Sequence, residues 1–254
     1  AITSGWVGSV FLTVVLGILL VFLFAPCHET THKTAFNNQA LNTAVGTICG
    51  FVIFLPFRFF QAFHMAHHRY TQNPEKDPEL AAPKPQSWRD YLFYLSGMGY
   101  WKEQAVTLYR CAFGDQRPAF ISEAKFGTIQ REARWHLGLY GALFVMSFAV
   151  GSTWLVEYWL LPVLLGQPFL RAFLLAEHTL CPQEADMARN TRTTLSNPLV
   201  RMLCWKMNYH VEHHAFPAVP FFSLDKMHPL IAGEIDHLAT GYSQVHRMIQ
   251  RTLG

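Results

Sequence analysis

Charge is scarce in this chain: Asp, Glu, Lys and Arg supply 15% of its 254 residues, and the net charge is +3. No basic run interleaves with aromatics, so the footprint of a nucleic-acid-binding protein is absent. GxGxxG and GxxxxGK loops are missing, as is any haem or ferredoxin cysteine pattern. If the chain does redox chemistry, its electrons must arrive from a separate protein. The five cysteines (Cys27, Cys49, Cys111, Cys181 and Cys204) form no CxxC and read as reduced, structural thiols. No Lys or Arg precedes Lys33, and none lies between Arg134 and Arg171.

Apolar length is abundant: hydrophobic residues make up 51% of the chain, with 21 Phe. The length suits one domain. Residues 5–26 are almost wholly apolar and long enough to cross a bilayer of about 30 Å. They lack a basic leader and a small-residue cleavage site, which argues against a signal peptide. Residues 136–150 and 154–175 flank Gly151-Ser152-Thr153 and read as a transmembrane hairpin. That makes three crossings, plus any upstream of Ala1. Residues 69–134 are polar, with a Pro-rich loop at 74–85 and an aromatic stretch at 91–101 expected on the membrane surface. Two short helices are expected near 223–238 and 241–252, the first opened by Ser223 and Asp225.

Nine of the 13 histidines fall in patterned positions. His28 and His32 lie in HETTH, His64, His67 and His68 in HMAHH, His178 in AEHTL, and His210, His213 and His214 in HVEHH. Spacings of i+3 and i+4 put imidazoles on one helix face. The neighbour within each HH pair points about 100° away, toward a different metal. Neutral imidazole is the commonest side-chain metal ligand, and one ion takes about four to six ligands. The nine are therefore read as ligands of two metals in one site. His136, His228, His237 and His246 stand alone and read as structural or solvated.

The boxes constrain topology. His32 and His64 must reach the same metals, so the apolar run 41–60 between them cannot be one full crossing. It is expected to be an interfacial or re-entrant helix, broken at Pro56. Basic residues crowd the segments that carry the boxes, which the positive-inside rule places in the cytoplasm: 61–134 and 178–254. The expected fold is an all-α integral membrane protein, a transmembrane helical bundle with interfacial helices. A cytosolic helical cap carries the histidine-rich dimetal site.

HETTH also fits HExxH, the zinc metalloprotease signature in which Glu29 would activate water. That reading leaves seven histidines unused. Metal-bound imidazoles usually donate their other N–H to a carboxylate or carbonyl. Glu29, Glu177, Glu212 and Asn208, each beside a box histidine, suit that role, as does Asp77. Asp77 and Glu79 are equally readable as partners of Arg69 or as loop charges, and Arg192 as a ligand contact or a carbonyl cap.

HETTH, HMAHH and HVEHH, in that order between apolar segments, resemble the histidine boxes of the membrane fatty acid desaturase and hydroxylase superfamily. KDPEL after the second box, and NTRTT and NYHVEHHAFPAVPF around the third, resemble bacterial members. The resemblance spans roughly residues 28–222. It implies two iron ions (Fe2+/Fe3+), O2 as co-substrate and attack on an unactivated C–H bond of a lipid-like substrate. It implies an external donor of ferredoxin, rubredoxin or cytochrome b5 type with its reductase, and residence in a bacterial cytoplasmic membrane. Fatty acyl desaturation is the leading expectation, with hydroxylation or ketolation of an acyl chain, alkane or carotenoid as the alternative. Three spans stand where four are usual, and Leu174 occupies the position at which the stearoyl-type branch has an Asn holding a metal-bound water.

Overall fold

The computed structural model describes the backbone of residues 2–254 and the side chains from Ser9 onward. The side chains at the start of the 5–26 run lie outside the described residues. That run folds as α1 (Ile2–Val21) and, after a short break, α2 (Phe24–His32). α2 contains the whole of HETTH, so the helical run continues beyond residue 26 through the first box. α2 ends at Lys33, whose left-handed backbone (φ 65°) closes the last turn.

α3 (Gln39–Val52) is opened by Asn38, whose side chain accepts from the backbone N–H groups of Ala40 and Leu41. α4 (Phe57–Tyr70) follows at a 103° bend. Pro56, which has no N–H to offer α3, marks the break. A loop with a 3-10 turn at Pro78–Ala81 leads to α5 (Trp88–Ser96), opened by a reciprocal Ser87–Asp90 capping box. Gly97, at φ 73°, ends α5 and starts α6 (Met98–Phe113). Together these two helices leave Trp88, Leu92, Phe93, Met98, Tyr109 and Phe113 exposed.

α7 (Glu123–Ala149) is one helix of 27 residues whose second half is the 136–150 run. A π-helical turn (Val156–Leu160) enters α8 (Leu161–His178), which carries the 154–175 run on to His178. Among the described residues two stretches are long and apolar enough to cross a membrane: Ser9–His32 and Val156–His178. α7 is not one of them, because its apolar half is short and holds His136, Gly138, Tyr140 and Gly141. That half nonetheless exposes Leu139, Phe144, Val145, Met146 and Phe148, the last at 90%.

α1 packs along α8 with glycines at the crossing. A Cβ on Gly17 would lie 2.1 Å from the Pro162 carbonyl oxygen, and one on Gly166 would lie 2.2 Å from that of Gly17. Only small residues permit so close an approach, the usual device where lipid offers no hydrophobic drive. Val21, Phe22, Val163, Leu170 and Phe173 fill the contact and join Cys204, Met207, Tyr209 and Leu224 of the cap.

The cap comprises α9 (Met187–Asn190), α10 (Pro198–Leu203), α11 (His210–Ala215), α12 (Leu224–Ile231) and α13 (Tyr242–Gln250). Two short strands, β1 (Thr193–Thr194) and β2 (Leu238–Ala239), pair in parallel and are the one departure from an all-helical fold among the described residues. α12 is shorter than the expected 223–238 because the chain tightens into a 3-10 turn at Ala232–Glu234, and the Ser223 side chain makes no capping bond.

Candidate metal centre

α2, α4, α8 and α11 bring all nine patterned histidines into one cluster, buried except for the half-buried His32 and His68. It divides in two. Ligating atoms of His28, His32, His64, His68 and His213 lie within 4.8 Å of one another, as do those of His67, His178 and His214. His210 joins the second set, with its Nε2 3.1 Å from the Nε2 atoms of His178 and His214. The HH pairs are split by helical geometry. On α4, His64 and His68 share a face and serve the first set, while His67 turns to the second. On α11 the division reverses: His210 and His214 serve the second set and His213 the first.

The cluster fits metal ions. His28 Nδ1, His210 Nδ1 and both ring nitrogens of His68 and His213 are buried without a hydrogen-bond partner. Each such atom costs about 1–3 kcal/mol if left unpaired. The Nε2 atoms of His32 and His64 stand 2.8 Å apart. Burial first, and neighbouring histidines second, push His210, His213 and His214 well below the ordinary histidine value. These rings are neutral nitrogen donors, a set that suits divalent transition metals. His67 differs: burial pulls it down, but Glu79 and Asp77 outweigh that and raise it.

Contacts outside the cluster fix the tautomers of the second set. His67 Nδ1 donates to Asp77 at 3.0 Å, and His178 Nδ1 donates to the Asn190 carbonyl at 3.2 Å. The Thr71 hydroxyl donates to the His67 carbonyl at 2.8 Å, so its lone pair is left to accept from His214 Nδ1 at 3.2 Å. In His178 and His214 the proton sits on Nδ1 and Nε2 is left for the cluster, whereas His67 Nε2 also lies 3.4 Å from the Glu79 carboxylate. Glu177 lies 3.5 Å from His210 Nδ1. Asp77 is itself anchored by the backbone N–H groups of Gln72 and Glu79, and Glu79 pairs with Lys84 at 3.1 Å rather than with Arg69.

Three expected orienting residues do something else. Glu29 accepts from the Thr34 hydroxyl and the Phe221 N–H, tying α2 to the cap. That engagement also takes it away from the water-activating role that an HExxH protease requires. Glu212 bonds His228 and the Thr193 hydroxyl, and Asn208 donates to the Thr194 carbonyl. For Glu29 and Glu212 the reason is shared: each adjoins a box histidine on its helix and is turned about 100° from it, while Asn208 lies in the turn before α11.

His228, read as solvated or structural, is thus a partner of Glu212, which lies in the third box. Thr71 and Asn190 carried no spacing signal. Arg192, 2% exposed, donates to the carbonyls of Ala176 and Thr179 and so caps the end of α8 that carries His178. His246 bridges Tyr91 and the Ala172 carbonyl. Leu174 packs in the apolar core beside α1. All five cysteines are free thiols.

Comparison with known proteins agrees with this architecture. The chain is 26% identical over 235 residues to an sn-1 oleoyl-lipid 12-desaturase of Picosynechococcus sp., covering 85% of this chain and 66% of the relative. It is 28% identical over 246 residues to a dihydrorhizobitoxine desaturase of Bradyrhizobium elkanii, covering 86% and 64%. It is 21% identical over 230 residues to an sn-1 acyl-lipid omega-3 desaturase (ferredoxin) of Nostoc sp., covering 83% and 63%. The chain spans about two thirds of the length of these curated relatives. A family model described as fatty acid desaturase matches residues 4–246, and the chain belongs to that family.

Proposed function

We propose that the chain is an O2-dependent diiron desaturase acting on an unactivated C–H bond of an aliphatic substrate. The observation that carries this reading is the division of the buried histidines into two adjacent sets, in a chain of the desaturase family. His28, His32, His64, His68 and His213 would hold one iron, and His67, His178, His210 and His214 the other. Bound iron supplies the oxidising power, drawn from O2 and two electrons, that removes hydrogen from such a bond. The protein's own part is to present ring nitrogens, keep Nε2 of His178 and His214 aimed inward, and exclude water by burial. The donor is a separate redox protein; ferredoxin is favoured because one relative is named for it.

The membrane reading rests on the same residues. Crossings at 5–26 and 154–175 match the two long apolar helices, and the exposed apolar half of α7 supplies the third at 136–150. Residues 41–60 return to the box face through the 103° bend, which the 2.8 Å approach of His32 to His64 requires. The metal site then faces the cytoplasm, by the basic loops around it. Cysteine-labelling of single variants near positions 33 and 69 tests this, and opposite accessibility overturns it.

Elemental analysis with Mössbauer spectroscopy, followed by product analysis with a reconstituted donor, tests the function. Two coupled irons and an alkene product are expected. Stoichiometric alcohol would move the enzyme to the hydroxylase branch, and zinc-dependent activity without O2 would overturn the reading.

A further inference from the structure

Two polar residues stand inside the apolar length of α8: Gln167 and Arg171. At about 100° per residue, positions 167, 171 and 178 fall within about 40° of one face, spaced about 10 and 16 Å along the axis from His178. Gln167 and Arg171 thus continue, toward the membrane, the stripe that ends at the metal centre.

α6 closes over them. The Arg171 guanidinium lies 4.4 Å from the centre of the Tyr100 ring, and the Tyr100 and Trp101 rings are 5.1 Å apart. Gly97 lets the two sides meet: a Cβ there would sit 2.5 Å from Gln167 Cγ and 3.7 Å from Trp101 Nε1. Three polar atoms of this cluster are buried without a hydrogen-bond partner: Trp101 Nε1, Gln167 Nε2 and Arg171 Nε. Gln167 is 1% exposed. Glu177, the only acid on α8, lies instead against His210. Donors converging in an apolar bundle, one of them cationic with no carboxylate at ion-pair distance among the described residues, mark a binding site rather than a packing contact. The missing partner is an anionic acceptor.

We propose that Arg171, Gln167 and Trp101 seat the carboxylate of the substrate, so that the substrate is an aliphatic chain with a free acid end rather than an acyl group on a lipid or carrier protein. This rests on the desaturase reading above and names its substrate class. The carboxylate takes a bidentate place on the guanidinium, the geometry in which Arg binds such groups best. The carbons beyond it run along the α8 stripe to the histidines.

The test is equilibrium binding to the full chain in phosphatidylcholine nanodiscs, using radiolabelled octanoate, dodecanoate and hexadecanoate beside their methyl esters. One acid of the series is expected to bind tenfold or more tighter than its ester. Arg171→Gln should weaken the acid by about 10- to 100-fold and leave the ester unchanged, and Arg171→Lys should lose less. Equal binding of acid and ester overturns the proposal, as does a variant that loses thermal stability with no change in binding. Competition by added phosphatidylglycerol without any acid preference assigns the site to lipid phosphate and also overturns it. Metal content measured on the same samples keeps the two claims separate. Two irons with no acid preference sink the carboxylate seat alone, and acid preference with a lone zinc sinks the desaturase reading alone.

Discussion

The two histidine sets are built differently. In the second, three of the four rings, His67, His178 and His214, are held from outside by Asp77, the Asn190 carbonyl and Thr71, while His210 Nδ1 has only Glu177 nearby at 3.5 Å. In the first, His28 Nδ1 and both nitrogens of His68 and His213 have no partner outside the cluster. There the rings are positioned by the helices that carry them: α2, α4 and α11. One set is pre-aimed by hydrogen bonds, while the other depends on helix packing and on the ion it binds. The second should therefore tolerate loss of metal with its geometry intact, and the first should relax.

The largest effect that tests this contrast is removal of a ligand. His68→Ala should lose the first metal and His178→Ala the second, each ending product formation, with elemental analysis falling from two metals toward one. Loss of both metals from either variant would show that the sets do not bind independently.

Asp77→Asn comes next. It should lower metal affinity or activity by about 10- to 100-fold, the usual consequence of removing a carboxylate behind a ligating histidine. The loss should fall on the second metal, read by titration with iron. Equal weakening of both would erase the distinction.

Arg192→Ala removes two buried charge-assisted bonds at the end of α8 and should destabilise the protein by about 2–3 kcal/mol. Thermal unfolding in detergent measures it. Metal content should change less than in Asp77→Asn, because Arg192 acts on the helix rather than on the ring.

The smallest effect lies outside both sets. Glu132 accepts from the Arg58 N–H at 2.7 Å, at the start of α4, and burial pushes its carboxyl up to about 7. A raised carboxyl means the folded state holds its proton more tightly than the unfolded chain. The stability it contributes is complete below about pH 4.5 and is lost as pH rises to about 7. Glu132→Gln should flatten that slope in a pH series of melting temperatures and leave both metals in place.

How much of this was legible beforehand depends on the residue. HETTH, HMAHH and HVEHH marked eight positions by spacing alone, because a helix converts i+3 and i+4 into a shared face; the ninth, His178, stands alone in AEHTL. The bend at Pro56 followed from requiring His32 and His64 to meet. Orienting residues were read less well. Adjacency in the chain pointed to Glu29, Glu212 and Asn208, but a helical neighbour such as Glu29 or Glu212 is turned about 100° from the residue beside it, Asn208 lies in the turn before α11, and each ties the cap instead. Asp77, ten positions past His67, was legible, but Thr71 holds His214 across 143 positions, and Asn190 presents only its backbone carbonyl to His178.

The sequence by itself determined the apolar lengths, the break between α3 and α4, and the inventory of imidazoles, since each rests on local composition or helical period. Tertiary structure alone decided which histidine joins which set, that His228 pairs with Glu212, and that Arg171 faces Tyr100 without an acid. Those are contacts between helices far apart in the chain, and no local rule of spacing specifies how packed helices rotate against one another.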